Sequence, residues 1–333
     1  MEKKLLLQVK NLQISWMFDK ALIPIVCGLD FSLEAGKVLA LVGESGCGKS
    51  VTALSLLRLL SKKLKIVEGE ILFCGQNGGE SVDITKLDPR GKDIQRIRGG
   101  MASMIFQEPM SSFSPLHTIG YQIMEVILLH NEISKEEAQK ITIDLLRKVG
   151  IADAGKAVKC YPFEFSGGMR QRAMIAKALS CNPALLIADE PTTALDVTIQ
   201  AQILDLMRDM QQEFGTSIIF ISHDLGVVGQ MADEVAIMYM GRIVEKGPTK
   251  EIFKSPKHPY TIKLLDAIPR LGNLEARRRL EPIRGSVPGL FNRPPGCTFH
   301  DRCDYFMPGI CDAGFPDLKG VSEDHLAACY LYG

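Results

Sequence analysis

No run of apolar residues in this 333-residue chain approaches the ~20 that a membrane-spanning helix needs; Ala184 to Ala188 and Val235 to Met240 stop far short. The opening Met-Glu-Lys-Lys leads into a short strand, Leu5 to Val9, and lacks the long apolar core and small-residue cleavage site of a signal peptide. A cytosolic location is expected, with any membrane contact made through another protein. Neither sign of charge is in excess, 39 basic residues against 39 acidic, so the bulk balance offers no footing to duplex nucleic acid or to an anionic membrane surface. Internal repeats and low-complexity tracts are absent. Cysteine is plentiful, but the count of nine is odd, and Cys27, Cys47, Cys74, Cys160 and Cys181 are scattered through ordinary elements, which excludes a secreted disulfide framework.

What is present is length enough for one large core or two smaller ones. Short apolar strands, Val38 to Val42, Ala102 to Phe106, Leu185 to Ala188 and Ser217 to Ser222, alternate with helical segments, a pattern that predicts a mostly parallel sheet between helices. The segment Ser50 to Leu60 is apolar nearly all round except for Arg58, as a helix buried against a sheet would be. Ser134 with Glu137 forms a capping-box pattern that starts an amphipathic helix, with Ala138, Ile141, Leu145 and Val149 on one face and Gly150 as its stop. After about Gly247 the texture turns to a charged stretch, Leu271 to Leu280, then to Pro and Gly, then to cysteine; a domain boundary is expected near residue 256.

Strand Val38 to Val42 runs directly into Gly43, Glu44, Ser45, Gly46, Cys47, Gly48, Lys49 and Ser50, the phosphate-loop pattern in the strand-to-helix context it requires. The glycines let backbone amides and a helix N-terminus face phosphates, Lys49 neutralises them, and Ser50 offers a hydroxyl to magnesium. Strand Leu185 to Ala188 ends in Asp189 and Glu190, suited to hold magnesium and to orient or deprotonate an attacking water, although on its own such a pair is more often a solvated strand end. Upstream, Ser166, Gly167 and Gly168 open a helix with bare amides, a second anion site whose ligand the residues alone leave open.

Together these residues resemble the ATP-binding-cassette family. The phosphate loop, Gln107 after a strand, the signature Ser166 to Gln171, Asp189 and Glu190, the segment Thr193, Ala194, Leu195, Asp196, and His223 after a strand stand in the family's order. The resemblance implies a RecA-like α/β P-loop ATPase core with an antiparallel β subdomain over residues 1–255, a helical signature subdomain at about 108–179, and a Cys-rich C-terminal extension over 256–333. It implies that ATP and magnesium are bound by Gly43 to Ser50 and Val51, with Ser50, Gln107 and Asp189 at the metal. Glu190, His223, Gln107 and Lys49 would be catalytic. Ser166, Gly167, Gly168, Gln171 and Asp196 would close on the nucleotide of a partner cassette. Trp16, with Phe18 as competitor, would stack on adenine.

Phe106 to Pro109, Pro115, Ile119, Gly120, Tyr161, Pro162 and His258 to Thr261 resemble the oligopeptide, dipeptide and nickel importer ATPases, while Phe163 and Phe113-Ser114 depart from that pattern. The expected partners are a second cassette, identical or a paralogue, two transmembrane permease subunits and, indirectly, an extracytoplasmic solute-binding protein, with no nucleic acid. The expected place is the cytoplasmic face of the membrane, and the solute class stays open among peptides, nickel and oligosaccharides. A soluble cassette ATPase of DNA repair or translation is the alternative, although the coiled-coil insertion or second cassette common there is missing; a metal-cluster sensor gated by ATP is a third. Cys297, Cys303, Cys311 and Cys329 are spaced by five, seven and seventeen residues, without a Cys-x-x-Cys pair. Similar tails in dipeptide-importer ATPases imply a four-iron, four-sulfur cluster; zinc or four reduced thiols remain the alternatives.

Overall fold

The computed structural model of the chain describes residues 4–75, 81–107, 112–193, 195–268 and 283–332. The expected start of the helical subdomain at Glu108, together with Pro109, Ala194 and the charged stretch 271–280, lies outside these residues. The chain opens with a long hairpin, β1 (Leu5–Phe18) and β2 (Ala21–Glu34). Its two-residue turn, Asp19 and Lys20, has φ of 43° and 69°, the doubly left-handed geometry that matches strand twist. Then follow β3 (Val38–Val42), α1 (Lys49–Leu56), β4 (Leu64–Phe73), β5 (Val82–Asp83), α2 (Lys92–Ile97) and β6 (Ala102–Ile105). An all-helical stretch comes next, with α3 (Ile119–His130), α4 (Lys135–Lys148), α5 (Ala154–Ala157) and α6 (Gly167–Leu179). The chain returns through β7 (Leu185–Asp189), α7 (Val197–Phe214), β8 (Ser217–Ser222), α8 (Leu225–Met231), β9 (Glu234–Tyr239), β10 (Arg242–Pro248), α9 (Thr249–Lys254) and α10 (Pro259–Asp266). A short hairpin, β11 (Lys319–Ser322) and β12 (His325–Ala327), lies near the end.

Two sheets result, an antiparallel one in the order β2-β1-β4-β5 and a mixed one in the order β11-β12-β10-β9-β3-β8-β7-β6. The strands from β9 to β6 in the second sheet run parallel and are buried on both faces, so period-2 alternation divides their side chains between two cores. Val38, Ala40 and Val42 of β3 face the helices, whereas Leu39 and Leu41 face the antiparallel sheet. Ile218 and Phe220 against Ile219 and Ile221 repeat the division on β8. The C-terminal residues share the helical-side core through Tyr260, Cys297, Phe299 and Cys311. Glu245 ties them to β10: fully buried, it accepts from the Lys257 and His258 backbone N–H groups at 2.7 and 2.8 Å and from His325 Nε2 at 2.7 Å.

Two local expectations need correction. The helix expected to reach Leu60 ends at Leu56, and Arg58 takes a left-handed φ of 53°. Its terminal carbonyls are taken by Arg98, which donates to Leu57 O and Arg58 O at 2.7 Å each. On α4, Ser134 accepts from the Glu137 N–H as expected, but the buried face is Ala138, Thr142, Leu145 and Leu146, and Ile141 is exposed. Thr142 can be buried because its hydroxyl donates to Ala138 O at 2.8 Å.

Candidate active site

β3 enters its loop at a point of close backbone packing: a Cβ on Gly43 would stand 2.2 Å from Met238 O, so only glycine fits. Gly46 and Gly48 hold φ of 81° and 103°, which curl the loop into the N-terminus of α1. Lys49 is buried and folds back to donate to Gly43 O at 2.7 Å and Glu44 O at 3.1 Å, with Cys47 Sγ at 3.6 Å. Burial raises the Cys47 thiol pKa despite Lys49, so this thiol stays protonated. Ser45 and Ser50 are exposed, whereas the Val51 side chain packs into the core between the sheets and offers the site its backbone alone.

Parallel pairing of β3 and β7 with the intervening β8 brings the ends of these strands to one rim. There Ser50 Oγ donates to Asp189 Oδ1 at 3.2 Å. Burial raises the Asp189 pKa, against the Ser50 bond and with help from Glu190. Glu190 has a left-handed φ of 47°, a strained value for a residue with a side chain. That turn presents its carboxylate to three side chains: Gln107 Nε2 at 3.0 Å, Thr193 Oγ1 at 2.9 Å and His223 Nδ1 at 3.3 Å. Burial works to raise the Glu190 pKa, but bonds from Thr193 and His223 and the charges of His223 and Lys49 outweigh it, and the carboxyl is held below its ordinary value. An ionised carboxylate backed by donors at the end of a strand beside a phosphate loop can orient or deprotonate a water.

The signature residues are spent locally. Ser166 Oγ accepts from Met169 N at 3.3 Å and so caps α6, while the space beside Gly167 is open and Gly168 packs on Ile199. Gln171 is buried and donates to Pro191 O, which ties α6 to the segment after Glu190. Asp196 caps α7 through Ile199 N at 2.9 Å. The amides of Gly167 and Gly168 at a capped helix start are the groups left to meet an anion. Trp16 and Phe18 pack together near the hairpin tip with ring centroids 4.8 Å apart.

One arrangement has no forewarning in the sequence. Arg302, 5% exposed and set between Cys297 and Cys303, forks onto the Glu44 carboxylate at 2.8 and 3.1 Å and donates to Tyr239 Oη at 3.2 Å. Tyr260 Oη accepts from the Glu44 backbone N–H at 2.9 Å. The first turn of the phosphate loop is therefore held, side chain and backbone, by residues 216 and 258 positions away. Burial alone would lower the Arg302 pKa, but the bonds to Glu44 and Tyr239 raise it.

Cys297, Cys303, Cys311 and Cys329 all line one small pocket together with His258, Phe299 and Met307. Burial, then the neighbouring sulfurs, raises the proton affinity of Cys297, Cys303 and Cys329, and Cys297 is pushed up to about 11. Among the described residues no group of three or more His, Cys, Asp or Glu side chains is arranged to hold a metal ion. The four sulfurs share a pocket without closing on a single point. No helix among the described residues is long and apolar enough to cross a membrane.

The family model described as ABC transporter matches residues 26–193, and that described as Oligopeptide/dipeptide transporter, C-terminal region, matches residues 244–311. The chain is 47% identical over 332 residues to the dipeptide transport ATP-binding protein DppD of Bacillus subtilis, covering 99% of this chain and 95% of that protein. It is 48% identical over 329 residues to the oligopeptide transport ATP-binding protein AppD of the same organism, covering 98% and 97%. A dimeric ATP-binding cassette in a post-hydrolysis state with ADP and phosphate bound shares the fold, with a TM-score of 0.63 over 73% of this chain and 98% of that one at 23% identity. A cassette of Clostridium perfringens, part of an ABC transporter complex, gives 0.62 over 76% and 92% at 25% identity.

Proposed function

The chain belongs to the ABC transporter ATPases, and from that premise we propose that it is the ATP-hydrolysing subunit of a peptide importer, working at the cytoplasmic face of the membrane. The observation that carries the catalytic part is the convergence of Gln107, Thr193 and His223 on the Glu190 carboxylate beside the Ser50–Asp189 pair. Peptide as the solute rests on relatives that match this chain end to end and are named for dipeptide and oligopeptide transport. These full-length matches disfavour the soluble repair or translation ATPase.

In this proposal Lys49 swings from its carbonyl partners to the β- and γ-phosphates, Ser50 and Asp189 hold magnesium with Gln107 beside it, and Glu190 takes the proton of the attacking water. His223 meets the γ-phosphate. Ser166, Gly167, Gly168, Gln171 and Asp196 serve the nucleotide of a second cassette, which leaves each subunit incomplete alone, and closure of the pair drives two permease subunits fed by a solute-binding protein. Residues 1–255 form the motor unit and 256–333 its extension. The four cysteines would be the ligands of a four-iron, four-sulfur cluster, which would supply a redox-active centre; that all four line one pocket supports this reading. Anaerobically purified protein free of iron and acid-labile sulfide would remove that assignment.

The test of the catalytic part is magnesium-dependent ATP hydrolysis by wild type and Glu190→Gln. Turnover is expected to fall by about two to four orders of magnitude in the variant with ATP binding retained. Unchanged turnover would show that Glu190 is not the base.

A further inference from the structure

The aromatic end of the site draws on the distant C-terminal part of the chain. Trp16 and Phe18 lie two positions apart on β1 and so share a face. Phe291, from a single 3-10 turn at Leu290–Asn292, stands edge-on to both, with ring centroids 6.3 Å from Trp16 at 63° and 5.4 Å from Phe18 at 71°. None of the three rings is part of either hydrophobic core, and Phe18 and Phe291 are 45% and 64% exposed. Three large rings gathered outside the core, two of them open to water, form a corner shaped for a flat apolar ligand.

The corner is fixed in place relative to the phosphate loop. Arg293, next to Phe291 in sequence after Asn292, donates to Pro24 O at 3.2 Å and to Cys27 Sγ, which pins the turn to β2. The same strand touches the loop: a Cβ on Gly48 would stand 3.3 Å from Val26 Cγ2. Trp16 pairs with Ile23, three residues from Val26 and so ~10 Å along the strand. That is a span comparable to the one separating base from phosphates in a nucleotide.

We propose that Phe291 is a wall of the base-binding site, so that adenine of the nucleotide held at Gly43 to Ser50 lies in the corner formed by Phe291 with Trp16 and Phe18. A base stacked on one ring meets the edge of another, and aromatic pairs favour both arrangements. The C-terminal extension then contributes directly to nucleotide affinity in its own subunit. This inference rests on the ATP-binding function proposed above.

Calorimetric titration of the full chain with ADP and with pyrophosphate, which share the diphosphate and differ in the adenosine, tests it. Phe291→Ala is expected to weaken ADP binding about two- to tenfold and leave pyrophosphate binding unchanged, while Phe291→Tyr keeps the wild-type ADP affinity. Equal ADP affinity in wild type and Phe291→Ala would overturn the assignment, as would a parallel loss for pyrophosphate. Wild-type protein that binds neither ligand would overturn the nucleotide-binding function itself, a result distinct from either.

Discussion

Two groups of ionisable side chains adjoin the phosphate loop, one through Ser50 and one through Arg302, and Glu190 of the first is kept in the opposite state to the cysteines of the second. At the strand ends, Asp189 and Glu190 sit among donors: Ser50, Gln107, Thr193 and His223. Hydrogen bonds there outweigh burial for Glu190 and hold it ionised. In the cysteine pocket the donors to the sulfurs are backbone N–H groups, such as Tyr305 N to Cys303 Sγ at 3.4 Å, and burial outweighs them. With no metal bound, Cys297 keeps its proton up to about 11, and His258 refuses one down to about 3. The comparison teaches that a cluster of reactive residue types becomes a charged site or a neutral one according to what faces it. Arg302 is the joint between the two, anchored beside the cysteines and forked onto Glu44.

The sharpest way to separate the regions is to remove the charge of one alone. Lys49→Ala is expected to lower magnesium-dependent ATP turnover by about a hundredfold or more, because the phosphates lose their one buried cation in the loop. The cysteine pocket should keep its fold, read as unchanged thiol accessibility to a labelling reagent. A comparable loss of thiol protection would show that the regions are not separable at this point.

Cutting the joint should have the next largest effect. Arg302→Ala leaves Glu44 facing buried Tyr239 and Tyr260 without its partner, and unfolding free energy is expected to fall by about 2 to 4 kcal/mol in chemical denaturation. Glu44→Gln keeps an acceptor for the guanidinium and should cost less. Equal losses in the two variants would mean that the fork contributes through its charge, and no loss in Glu44→Gln that it contributes through packing and neutral hydrogen bonds.

How much of this was legible in the sequence follows from the range over which each feature is encoded. The phosphate loop, the pair Asp189-Glu190 and the Ser166 and Asp196 caps are specified within a few residues, by glycines at positions of constrained backbone and by side chains that bond two or three positions on. The phosphate loop and the parallel strands, whose side chains are apolar on both faces, could be read directly, whereas Asp189-Glu190, Ser166 and Asp196 drew their expected roles from the family resemblance. The fork of Arg302 on Glu44, the Arg98 cap that stops α1 at Leu56, and the seating of Phe291 beside Trp16 join residues 258, about 40 and 275 positions apart. No periodicity marks such partners. Ile141 misled for a different reason: Thr142 satisfied its own hydroxyl within the helix and took the buried place.

The smallest effect should come from His258, and it tests directly whether the pocket is dry. Its ring is buried, its Nδ1 accepts from Tyr260 N at 3.1 Å to cap α10, and the Phe299 ring lies 5.9 Å away. The charged group nearest in the bonding pattern, Glu245, meets its backbone N–H, not its ring, and is itself bonded to His325. With its folded-state pKa lowered from 6.5 to about 3, the folded chain declines a proton that the unfolded chain accepts as pH falls below 6.5. Stability from this group is therefore complete above pH 6.5 and lost progressively between 6.5 and about 3. Between pH ~7.5 and ~5.5 the loss should be about 1.4 kcal/mol. His258→Asn keeps a cap acceptor but has no proton to decline, so its unfolding free energy should fall less over the same interval by about that amount. Identical pH slopes in the two proteins would mean that water reaches the ring, and the contrast between a donor-lined site and a dry pocket would fail where it is most easily measured.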